Sequence, residues 1–166
     1  MKIDDDHQYL GAALAQIAED PQFTAINALT VSGETVRGAY KINHEIAAYM
    51  KYASKPTKPH GEYQFTFHQR HIDDLRKIAA TNEKTYIVLV CVKIREICCL
   101  SYDEFSELIA RRAAIVGSSE PQYVLLVTAK DHSKMRAYVN APGKRNTILG
   151  TELKISRNAF PSAIFT

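Results

Sequence analysis

Residues 86–92, Tyr-Ile-Val-Leu-Val-Cys-Val, form an unbroken apolar run rich in β-branched side chains. Successive side chains of a strand point to opposite sides, so a strand with this composition has no face it can leave in water. It needs cover above and below, which places it at the centre of a sheet inside a layered structure of strands and helices. At 166 residues the chain is long enough to supply those layers from one domain spanning residues 1–166.

The flanking segments read as the other members of these layers. Tyr9, Leu10, Ala13, Leu14 and Ile17 fall on one face of a helix that Asp6 can cap and Pro21 stops. Phe23 to Val31 and Arg37 to Asn43 read as strands around the Ser32-Gly33 turn. Asn43 to Glu45 then reverses the chain into Ile46 to Ala53, whose period of two makes it the hairpin partner of the strand before it. Residues 54–61 hold two prolines, which cannot donate to a sheet, and form a basic loop. Tyr63, Phe65 and Phe67 put three aromatic rings on one face of a short strand, and a helix starts near His68 with Ile72, Leu75 and Ile78 as its buried stripe.

Beyond the central run, Glu96 to Tyr102 is a further strand. Ser101 and Glu104 fit a capping box for a helix from Asp103 to about Val116, which Gly117 ends. Gln122 to Lys130 and Met135 to Asn140 read as strands, the tail from Ile148 as a last one, and Ala159 to Phe165 as a docking segment. The expected fold is a mixed α+β one: a central mixed, largely antiparallel sheet flanked by about three helices, with a C-terminal β meander.

Composition excludes several classes. With 46% hydrophobic and 23% charged residues the chain is too apolar for disorder and too charged for a membrane protein. The acidic start, Asp4-Asp5-Asp6, is unlike a secretory signal, and no run approaches the ~18 apolar residues of a membrane span. The expectation is a cytoplasmic protein with no membrane partner. Cys91, Cys98 and Cys99, an odd number in apolar strands, read as buried free thiols. The net charge of +3 is mild but unevenly spread: residues 1–35 carry six acids against Lys2, whereas residues 130–157 carry seven bases against Asp131 and Glu152.

No Gly-rich nucleotide loop, nucleophile elbow, His-Glu-x-x-His or paired Cys-x-x-Cys occurs. His68 and His71, three apart on a helix start, are candidate metal ligands, with His60 and Asp74 as further donors. A solvated helix start, where polar histidines are common, is the favoured reading of them. His44 beside Glu45 offers an acid and base pair in a turn.

The order of elements between residues 8 and 92 resembles the core of the restriction-endonuclease-like, PD-(D/E)xK, nuclease superfamily. The resemblance implies a divalent metal cofactor held by carboxylates, with an acid-x-Lys pair on the hairpin's second strand activating water. That strand here reads Ala48-Tyr49-Met50-Lys51, so the lysine is present and tyrosine occupies the acid's place. Glu45 is the nearest acid, and Glu45 and Lys51 are the candidate catalytic pair. The implied protein is a nuclease-like relative that associates with DNA or RNA and has lost metal-dependent hydrolysis. If it were active it would be a metal-dependent nuclease.

Phosphate recognition needs placed cations more than a motif. Arg37, Lys51, Lys55 and Lys58 form one candidate nucleic-acid-binding group, and Lys134, Arg136, Lys144 and Arg145 a second. The competing expectation is a protein-interaction or regulatory module that binds no nucleic acid, and a homo-oligomer stays open under either reading.

Overall fold

The computed structural model describes residues 1–58, 60–144 and 147–166. In chain order the elements are α1 (Asp5–Glu19), β1 (Ile26–Val31), β2 (Glu34–Ile42), β3 (Ile46–Ala53), β4 (Tyr63–His68), α2 (Gln69–Thr81), β5 (Lys84–Cys91), β6 (Glu96–Ser101), α3 (Tyr102–Val116), β7 (Gln122–Thr128), β8 (Met135–Tyr138) and β9 (Leu153–Ile155). A short 3-10 turn, Ser162–Phe165, follows. This is the expected mixed α+β class, divided between two sheets. A five-stranded mixed sheet runs β1-β2-β3-β5-β6, and a four-stranded antiparallel sheet runs β4-β7-β8-β9.

The strand from the 86–92 run lies inside the larger sheet. β5 pairs parallel with β3 along its whole length and antiparallel with β6. Its two faces feed two cores. Ile87, Leu89 and Cys91 join Tyr49, Cys98 and Leu100 beneath α2, α3 and the smaller sheet, while Val88 and Val90 join Met50 and Cys99 beneath Leu10, Ala13 and Ile17 of α1 and Phe160 and Ile164 of the tail. The three cysteines are free and buried.

Tyr63, Phe65 and Phe67 are all buried on the inner face of β4, each contributing about 1.5–3 kcal/mol by leaving water. The strand they define belongs to the smaller sheet. β4 pairs with β7 from Tyr63 opposite Val127 to His68 opposite Gln122, so it heads the C-terminal meander instead of extending the hairpin sheet.

Local chemistry sets the element ends. Ser101 accepts the Glu104 amide at 3.1 Å while the Glu104 carboxylate accepts the Ser101 amide at 3.0 Å, and Gly117 closes α3 in the left-handed conformation. At α1 the cap is Asp4 and not Asp6: the Asp4 carboxylate accepts the His7 amide at 2.9 Å, and Nδ1 of His7 accepts the Asp4 amide at 3.3 Å. Asp6 is thereby a first-turn side chain, free to receive Arg37. At the β2–β3 reversal Asn43 adopts φ +55°, and its side-chain oxygen accepts from the amides of Thr24 and Ala25. It ties the segment before β1 to the hairpin.

Candidate functional site

β2 pairs regularly with β3 from Ile42 to Ala39 and then departs from it. On its other side the register with β1 jumps from Ala28 opposite Tyr40 to Thr30 opposite Thr35, so β2 carries extra residues in between. Gly38 makes this bulge feasible. Its φ is +79°, and a Cβ there would lie 2.7 Å from the Met50 carbonyl oxygen. The bulge leaves Val36 against the larger core and sends Arg37 toward α1, where its Nε donates to the Asp6 carboxylate.

Between this bulge, the second half of β3, β4 and the first turn of α2 lies a groove of about 850 Å³. Lys51 projects into it on the same side of β3 as Tyr49, with Nζ 5.1 Å from the centre of the Phe67 ring. Arg70 and His71 enter from α2, Arg37 and Glu34 from β2, and Asp6 and Asp74 supply the other carboxylates.

The groove's formal charges balance, Arg37, Lys51 and Arg70 against Asp6, Glu34 and Asp74, but Lys51 feels its cationic neighbours. Burial, aided by Arg70 and Arg37, pushes the Lys51 ammonium below its ordinary range. His71 is lowered from 6.5 to about 4, first by burial and then by Lys51, Arg70 and His68. It is neutral near pH 7, and its Nδ1 accepts the His68 backbone amide at 3.1 Å, which puts the ring proton on Nε2. Tyr49 is pushed up to about 12, chiefly by burial, and keeps its proton. The set therefore offers an ammonium, a guanidinium, an imidazole N–H and a phenol, all able to donate to an anion.

The predicted residues separate. Lys51 and Arg37 share the groove, but Glu45 does not reach it. Glu45 precedes the first residue of β3, roughly 20 Å from Lys51 at the rise of a strand, and its carboxylate stands 4.0 Å from Lys84. His68 and His71 have ring centres 5.2 Å apart, with one nitrogen of His71 taken by the backbone. Among the described residues no three His, Cys, Asp or Glu side chains gather closely enough to hold a metal ion.

Lys58 and Lys144, from different groups in the sequence, meet in a second groove of about 720 Å³ over the outer face of the smaller sheet. Lys55, Lys134 and Arg136 line neither groove, and Arg145 lies outside the described residues. Arg70 and the donor role of His71 were not anticipated. The signal that could have found them is a cation between two histidines on a helix's first turn, a pattern that reads first as a solvated helix start. No helix among the described residues is long and apolar enough to cross a membrane. Compared with protein-family models, curated proteins and solved structures, the chain matches none of them.

Proposed function

We propose that this chain is a nucleic-acid-associated, nuclease-like domain that binds backbone phosphate in the 850 Å³ groove and has lost metal-dependent hydrolysis. The carrying observation is the half-buried Lys51, held on the Phe67 ring and crowded by Arg70 and Arg37, with donors around it. A cation kept where burial and like charges disfavour it costs stability, and a bound phosphate would offset that cost. The reading is further supported by Tyr49, two residues before Lys51, which is buried in the core where the resemblance asks for an acid. Arg37 is already engaged by Asp6, so Lys51 and Arg70 carry the binding.

The test is fluorescence anisotropy of labelled DNA and RNA with the wild type, Lys51→Met and Arg70→Glu. Met keeps the packing on Phe67 and removes the charge. Each variant is expected to weaken binding about tenfold, with Lys51→Met as stable as wild type or more so, and wild-type affinity should fall steeply with added salt. Absence of binding at low salt overturns the proposal. Cleavage of either nucleic acid with added Mg²⁺ or Mn²⁺ overturns the loss of hydrolysis. Self-association or capture of a protein partner without nucleic-acid binding would move the assignment to an interaction module.

A further inference from the structure

The second groove joins residues 57–64, within the portion that carries the nuclease-like resemblance, to residues of α3, β7 and the Val139–Lys144 loop beyond it. Its floor is the outer face of β4 and β7, where half-buried Val124 and the 2% exposed Leu126 form a narrow apolar strip beside the amides of Gln64 and Gln122. Two loops wall it: one carries Lys58, the other runs from Val139 to Lys144.

Its charge leans positive, with Lys58, Lys144 and Arg112 against Glu62 and Glu120, and both acids are engaged within the protein. Glu62 is 5% exposed and accepts the Tyr138 hydroxyl, while Glu120 is held by two bonds of 2.8 Å from the Arg112 guanidinium. That engagement keeps the Glu120 carboxyl below its ordinary range. Lys58 and Lys144 are exposed and have no ion pair among the described residues. Asn140, also in the wall, has a buried side-chain oxygen without a partner among those residues. Lysines at the rim without an ion pair among the described residues, an apolar strip and one unfilled amide acceptor fit a nucleotide unit: base on the floor, phosphate toward the lysines. Gln64 lines both this groove and the Lys51 groove, so the two adjoin across β4.

Resting on the phosphate-binding reading of the first groove, we infer that the second groove holds a neighbouring nucleotide of the same strand, which makes single-stranded nucleic acid the substrate class. A duplex buries its bases in the stack and cannot lay one on the Val124–Leu126 floor.

The test uses the full chain with labelled 12-nucleotide single strands of DNA and RNA and a blunt duplex of the same length, comparing wild type, Arg70→Glu and the double variant Lys58→Glu/Lys144→Glu. Circular dichroism checks that each variant is folded, and the lysines are exposed enough for reversal to leave the core intact. The expected result is a loss of tenfold or more in single-strand affinity for both variants, a salt slope lower by about 1.4 for the double variant, and weaker wild-type binding of the duplex. An effect of Arg70→Glu without one of the double variant overturns this inference and leaves the first groove's reading standing. An effect of the double variant alone overturns the shared path, and equal affinity for duplex and single strand overturns the substrate class.

Discussion

His71 shows how one side chain can serve both fold and ligand. Its Nδ1 closes the first turn of α2 on the His68 amide, and its remaining N–H stays beside Lys51 and Arg70. Because its pKa falls from 6.5 to about 4 on folding, the folded chain binds fewer protons than the unfolded one between those values. The contribution of His71 to stability is therefore fully present above pH 6.5 and is lost as the pH drops toward 4. Urea unfolding of wild type and His71→Gln at pH 7 and pH 5 should show a smaller loss in the variant, since glutamine can still accept the His68 amide but does not titrate. Equal losses would sink the assignment. An anion entering the groove reverses the electrostatics, so a saturating oligonucleotide should move the His71 ring-proton titration seen by NMR upward from about 4.

Among the elements, β2 matters most to the groove, because its bulge decides where Arg37 points. Gly38 and Gly33 both have positive φ, +79° and +82°, but only Gly38 has a backbone oxygen where a Cβ would go. Gly38→Ala should cost about 2 kcal/mol or more and displace the bulge, whereas Gly33→Ala should cost about 1 kcal/mol, both measured by denaturant midpoint. Comparable costs would mean that the Met50 approach is not what requires glycine. Elements whose cause is local were readable in the sequence: the Ser101–Glu104 box, the aromatic face of β4 and the doubly covered β5. The pairing of β4 with β7 was not, because alternation identifies a buried face and says nothing of which strand lies alongside. The same limit applies to the grooves. Lys51 could be placed on a strand face, but joining it to Arg70, or Lys58 to Lys144 at a separation of 86 positions, depends on how helices and loops pack.

For the molecule as a whole, the larger sheet is the wall shared by two cores, and its cysteines sample both. Cys91 and Cys98 face the core beneath α2, α3 and the smaller sheet, whereas Cys99, next to Cys98 on β6, faces the layer made by α1 and the tail. Burial raises all three thiols, Cys91 and Cys99 to about 12, so at pH 8 neither solvent access nor thiolate is available in the native state. The α1 layer is thin: Leu10, Ala13 and Ile17 with Phe160 and Ile164 supply its buried cover. Yet removing it would bare Val88, Val90, Met50 and Cys99 on strands whose other face is still packed, exposing apolar surface at about 25 cal/mol per Å² without releasing the strand backbones. Such an intermediate exposes apolar strand faces while only α1 and the tail gain backbone freedom, so the two cores should open together. With a disulfide reagent at pH 8, all three thiols should be silent in buffer and become reactive along one denaturant curve with one midpoint. Mass spectrometry showing Cys99 modified ahead of Cys91 and Cys98 would mean instead that the α1 layer peels away alone.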